Sequence, residues 1–280
     1  MQVGVFAKTF PGTRPDTVFA ACKAAGFESV QYNMSCSGLD ALPAHISRET
    51  ADHVASMSTA AGLEIAAVSA TYNMIHPDMD RRKVGRHAFE TIAENAARMG
   101  TNLLTVCTGS MDPEDQWCCH PANDHPTAWS TMSREFEIIL DHADRHNVMI
   151  GVEPEHANVV SSARKAQRLL KQFSGSQIRI VLDPANILED VPADRQEFTI
   201  DEALDLLGSK IVLAHAKDRT ADGQVAPTGE GIVNWQHFLQ GLSRVGFCGP
   251  LIAHGMSAEQ APAVAKYLNH QLAMLESDGA

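Results

Sequence analysis

Glu153, Asp183, His215 and His254 each close a short apolar run: Met149-Ile150-Gly151-Val152, Ile180-Val181-Leu182, Ile211-Val212-Leu213-Ala214 and Leu251-Ile252-Ala253, in that order. Two carboxylates and two imidazoles make a donor set for one divalent metal ion. The nitrogens suit Mn, Co, Zn or Fe better than Mg or Ca, which favour oxygen alone. A bound metal polarises a carbonyl, and a nearby carboxylate can then take the proton from the adjacent carbon. Glu153 can give the ion one oxygen and keep the other for that proton, so it is both ligand and candidate catalytic base. A metal-bound imidazole has spent its lone pair, which leaves His254 a ligand only.

The donors are separated by 30, 32 and 39 residues, each interval long enough for a strand, a helix and two loops. Parallel strands gather their C-terminal ends on one face, so distant residues can meet at one ion. The same alternation runs through the N-terminal half. Strands are expected at 3–8, 29–33, 64–69 and 102–107, followed by the four runs that end at the donors. Helices are expected near 15–25, 48–61, 80–99, 127–146, 161–173, 200–207, 234–244 and 258–270, several of them stopped by a glycine such as Gly62 or Gly100. Eight strands alternating with eight helices predict an α/β fold, a single (β/α)8 TIM barrel over residues 1–280, and no GxGxxG follows the first strand to suggest a dinucleotide fold. Four connections on the donor face are long: 33–47, 71–79, 108–126 and 218–233. The third carries Asp112, Trp117, His120, Asn123 and His125 and reads as a lid or substrate wall, with Trp117 and His120 turned toward substrate.

Composition narrows the partners. Lys and Arg number 22 against 34 Asp and Glu, a net charge of −12 without a basic stripe, which argues against nucleic acid. The chain opens without a basic, apolar leader and holds no run near the roughly 18 apolar residues of a membrane span, so a cytoplasmic protein with no membrane partner is expected. Six cysteines lack paired zinc-ribbon spacing and are read as reduced thiols. A small molecule is the expected partner; homo-oligomer formation stays open.

Taken in order, Val152-Glu153-Pro154, Leu182-Asp183-Pro184-Ala185-Asn186, Ala214-His215-Ala216-Lys217-Asp218, Gly229-Glu230-Gly231-Ile232-Val233-Asn234-Trp235 and Gly246-Phe247-Cys248-Gly249-Pro250-Leu251-Ile252 make the chain resemble the xylose-isomerase-like barrels. That group includes sugar phosphate isomerases and epimerases, ketose 3-epimerases, hydroxypyruvate isomerase and inosose dehydratase. The resemblance implies a divalent metal on strands five to eight, held by Glu153, Asp183, His215 and a final residue that is usually Glu and here is His254. It implies a metal-dependent isomerase or epimerase of a small sugar, keto sugar or sugar acid, working through an enediolate. Ketose 3-epimerases use two metal-bound glutamates, one on each face of the substrate. With Glu153 alone, one-base chemistry fits better: aldose–ketose isomerisation, or a lyase reaction such as dehydration or decarboxylation of a keto sugar acid.

Further substrate contacts are expected from Lys8 at the end of strand one, Glu155 and His156 beside Glu153, Asn186, which stands where some relatives have a substrate-binding His, and Lys217, two residues after His215 and so on the same strand face. Plainer roles are also open: Asp183 as a helix cap, Glu155 and His156 as loop-orienting groups, and Arg219, a candidate partner for a carboxylate or phosphate, as a surface ion pair. Two other readings of the whole chain are a multi-zinc phosphodiesterase barrel, disfavoured by the charge and the small number of site histidines, and a sugar-binding barrel that holds metal without turnover.

Overall fold

The first half of the chain supplies β1 (Gln2–Phe6), β2 (Ser29–Tyr32), β3 (Glu64–Ser69) and β4 (Leu103–Val106), and the second half β5 (Met149–Val152), β6 (Ile178–Leu182), β7 (Ile211–Ala216) and β8 (Pro250–Ala253), in a computed structural model that describes residues 1–278. Every neighbouring pair is parallel, and β8 pairs back onto β1 from Gln2↔Pro250 to Val5↔Ala253, which closes the barrel. Around it run α1 (Pro15–Ala24), α2 (Arg48–Ala61), α3 (Met79–Met99), α4 (Pro126–His146), α5 (Ala163–Gln172), α6 (Gln196–Leu207), α7 (Trp235–Arg244) and α8 (Ala261–Asp278). No helix among the described residues is long and apolar enough to cross a membrane.

The caps explain the boundaries. Ser47 starts α2 by accepting from the Thr50 N–H at 3.0 Å, and Gly62 and Gly100 end α2 and α3 in the left-handed region, at φ 63° and 98°, where an L side chain is strained. Three elements differ most from the pattern-based expectation. Helix α6 begins at Gln196 because a 3-10 turn over Ala193–Arg195 leads into it, and α8 begins at Ala261 and continues to Asp278. Strand β1 stops at Phe6, where Ala7–Thr9 winds into a 3-10 turn, so Lys8 lies beyond the strand and is exposed.

Inside the barrel, alternation sets two layers. The lower one contains Gly4, Ser29, Ala67, Leu103, Gly151, Val181, Leu213 and Ile252, of which the five apolar side chains form one buried cluster. Gly4 and Gly151 leave the space these large neighbours fill: an added Cβ would stand 2.5 Å from Ile252 at position 4 and 2.9 Å from Val181 at position 151. Two residues further along each strand comes the upper layer: Phe6, Gln31, Ser69, Thr105, Glu153, Asp183, His215 and His254. Each strand therefore contributes one residue to the ring that faces the C-terminal end.

Candidate metal centre and active-site cavity

Three of the four donors stand one residue past their strands, and His215 lies within β7. Glu153 is anchored by its N–H to the Val106 carbonyl at 2.9 Å and His254 by its N–H to the Ala216 carbonyl at 3.2 Å, so both extend the ladder by one step. Asp183 serves twice. Its Oδ1 accepts from the Ala185 N–H at 2.9 Å and caps the helical turn Pro184–Ile187, while Oδ2 turns to the other donors.

The four side chains offer one ligand atom each, all within 4.8 Å of one another. Glu153 Oε1 lies 3.1 Å from His215 Nδ1 and accepts from Asn186 Nδ2 at 2.8 Å. Asp183 Oδ2 lies 3.2 Å from His254 Nε2, 3.8 Å from His215 Nδ1 and 3.2 Å from Lys217 Nζ. The two imidazoles meet edge to face, centroids 4.5 Å apart. This donor set fits one divalent ion: two anionic oxygens and two imidazole nitrogens converge, and Asp183 is fully buried, where a carboxylate is costly without cations beside it.

Electrostatics follow from that crowding. Burial opposes ionisation of Asp183, yet Lys217, then His254 and His215, hold its carboxyl well below the usual range. Burial also works against the Glu153 carboxylate, and the His215 ring outweighs it, so this carboxyl too is lowered. Burial and the His215 ring push the His254 imidazole down. Lys217 is raised despite its burial, chiefly by Asp183 and then Glu153. Glu155 is pushed up to about 7 by burial and by the charge of Glu153.

Above the donors opens a cavity of about 580 Å³. Seven of the eight upper-layer residues line it, Asp183 being sealed beneath, and Lys8, Glu155, Lys217, Cys107, Gln116 and Trp117 add to its walls. Asn186 stands behind this surface, bridging Glu153 and Lys217, and is thus a residue that orients a donor. His120 and His156 are not brought to the cavity. His120 Nδ1 accepts from the Ala122 N–H and caps the 3-10 turn Pro121–Asp124, and His156 Nε2 pairs with Asp190 at 3.5 Å; both line a separate outer cleft with Cys119 and Lys165. The expected turn of His120 toward substrate gives way to this capping role.

The 108–126 connection is a pinned wall. Asn158 accepts from the Gly109 N–H at 2.7 Å and donates to the Gln116 carbonyl at 3.0 Å, while Asn123 donates to the Ala157 carbonyl at 2.8 Å. Trp117 remains half exposed at the cavity mouth. Asp218 explains the glycine-rich run 229–235: its buried carboxylate accepts from the N–H groups of Gly229 and Val233 and from Trp235 Nε1, and an added Cβ on Gly231 would collide with it. The same connection carries the small antiparallel ribbon Asp218–Arg219 with Val225–Ala226, and Val225 lines the cavity. Arg219, read from sequence as a surface ion pair, pairs with Glu189 at 3.1 Å.

A family model, described as the xylose isomerase-like TIM barrel, matches residues 19–277. The chain belongs to this family. Among solved structures, this xylose isomerase-like barrel is similar to a D-tagatose 3-epimerase-like protein at 16% identity and a TM-score of 0.79, with 100% of both chains covered. It is similar to a 3-keto-D-glucoside 4-epimerase from E. coli, at 16% identity and 0.74, with 99% of each chain covered. A xylose isomerase-like TIM barrel protein from Mycobacterium smegmatis, solved in complex with magnesium, is 14% identical, with a TM-score of 0.71 and 93% of this chain and 88% of that one covered. The chain spans 41% of the length of a further similar protein, a fusion of such a barrel with a 4-hydroxyphenylpyruvate dioxygenase. No curated protein matches in sequence. At these identities the likeness carries the fold alone.

Proposed function

We propose that this xylose isomerase-like barrel is a metal-dependent isomerase or epimerase of a small sugar, keto sugar or sugar acid, acting through an enediolate. The observation that carries the reading is the convergence of Glu153, Asp183, His215 and His254 at the floor of a cavity large enough for a monosaccharide. A bound divalent ion would polarise the substrate's carbonyl and stabilise negative charge on its oxygens. Two imidazoles favour Mn, Co, Zn or Fe, although the relative from Mycobacterium smegmatis was solved with magnesium.

The chain's own groups divide the remaining work. Glu153 Oε1 accepts from Asn186 and faces His215 Nδ1 within the donor cluster, whereas Oε2 has, among the described residues, only the Cys107 thiol at 3.7 Å, so Oε2 is the oxygen free to take a carbon-bound proton. Lys217, held by Asp183 and Asn186, keeps its charge beside the reacting oxygens. Lys8 and Glu155 reach the cavity as hydrogen-bonding groups for hydroxyls, and Trp117 offers an aromatic face to the apolar side of a sugar. Trp117→Ala is expected to raise KM roughly tenfold, about 1.4 kcal/mol, with little change in kcat. Steady-state kinetics with unchanged KM would remove the side chain from the binding wall.

One feature favours a lyase as the second reading. Of the two donor carboxylates only Glu153 borders the cavity, since Asp183 is fully buried, and His254 takes the position that the sequence resemblance gives to a second glutamate in ketose 3-epimerases. A single base serves isomerisation, dehydration or decarboxylation more readily than two-base epimerisation. Metal-loaded protein followed by proton NMR in deuterium oxide over ketoses, aldoses and keto acids tests the proposal, because an enolising substrate exchanges its proton even when net conversion is slow. Binding without exchange across the panel would instead support a sugar-binding barrel.

A further inference from the structure

Half of the upper ring supplies no metal donor. Gln31 on β2, Ser69 on β3 and Thr105 on β4 belong to it, and all three are buried. The Gln31 amide is fully engaged. Its Nε2 donates to Ser69 Oγ at 3.0 Å and to Thr105 Oγ1 at 3.1 Å, and its Oε1 lies 2.8 Å from His215 Nε2. The register of β2 against β3 shifts between Val30 and Gln31, an irregularity of the kind that re-aims a side chain.

An amide oxygen can only accept, so the proton between these residues belongs to His215 Nε2. A neutral ring protonated there carries its lone pair on Nδ1, the nitrogen that faces Glu153 Oε1 at 3.1 Å and Asp183 Oδ2 at 3.8 Å. We infer that Gln31 is a positioning residue that locks His215 in the Nε2–H tautomer and thereby presents Nδ1 to the ion, an assignment that rests on the metal-site reading above. Ser69 and Thr105 accept both hydrogens of the amide, which leaves Oε1 for the ring. Turned by half a rotation, the amide would place its NH2 against Nε2, the ring proton would move to Nδ1, and His215 would leave the ligand set.

Having accepted from Gln31, Ser69 and Thr105 keep their hydrogens free to donate to substrate oxygens in the cavity they line.

The test is nitrogen-15 NMR of labelled histidine in the Zn²⁺-loaded protein, where an ion on Nδ1 takes the place of a proton, together with calorimetric titration of Mn²⁺ into the metal-free protein. In the parent protein His215 is expected as the Nε2–H tautomer. Gln31→Leu is expected to mix the tautomers and weaken Mn²⁺ binding about 10- to 100-fold. Gln31→Glu, which keeps an acceptor at the same place, is expected to restore both. A paired Ser69→Ala, Thr105→Val variant leaves Gln31 in place and frees its amide to turn, and should show the mixed tautomer even if Gln31→Leu folds poorly. An Nδ1–H ring in the parent protein, or an unchanged tautomer and Mn²⁺ affinity in folded Gln31→Leu, overturns the inference. If the parent protein takes up no metal, the metal reading fails, and the presence of a proton on His215 Nε2 in the metal-free protein still decides whether Gln31 accepts from the ring.

Discussion

Glu153→Gln is expected to lower exchange of the substrate's carbon-bound proton by about 10²- to 10⁴-fold, the range for loss of a positioned base. The amide preserves size and keeps an oxygen for the ion, so the fold and part of the metal affinity should survive. What disappears is the basic Oε2, the one oxygen of this carboxylate that neither His215 nor Asn186 occupies. Proton NMR in deuterium oxide on the metal-loaded variant reads the loss directly. Full exchange would take the base role from Glu153 and leave it a ligand.

The second large effect is expected at Asp183, where one substitution breaks two things. Its carboxylate is fully buried, contributes an oxygen to the donor cluster and stands 3.2 Å from the Lys217 ammonium. Asp183→Ala should abolish stoichiometric metal binding. In the metal-free protein it should cost about 3–5 kcal/mol, because it strands a buried cation beside an empty space. The pH dependence has a definite sign. The folded-state carboxyl is held below its ordinary value of 3.8 by Lys217, His254 and His215, which outweigh burial, so its contribution is complete above that value and fades as pH falls toward the depressed one. Urea unfolding of parent and variant should therefore differ most near neutrality and converge in strong acid. An equal gap at pH 7 and pH 2 would show that packing, not charge, carries the loss.

Much of this was legible in the sequence because the signals are local. The apolar runs that stop at Glu153, Asp183, His215 and His254 place four side chains at four strand ends, and the regular spacing closes the barrel that brings those ends together. What stayed hidden depends on contacts between strands. Gln31, Ser69 and Thr105 are single polar residues in apolar strands, and only the i+2 relation to the inward-facing Ser29, Ala67 and Leu103 marks them as upper-layer positions. Histidines in loops were the least readable. His120 and His156 sit in segments rich in site-like residues, yet their rings are claimed by a capping bond and by Asp190, interactions set by how the loop folds back on itself. Lys8 reaches the cavity from a turn that follows β1, where strand alternation does not apply.

Elemental analysis decides whether these four side chains hold one divalent ion. Protein stripped with chelator, reloaded with Mn²⁺ and dialysed is expected to retain one ion per chain, and His254→Ala, which removes a single nitrogen donor, is expected to lose it. No stoichiometric metal in the parent protein, or the same content and affinity in His254→Ala, would contradict the site.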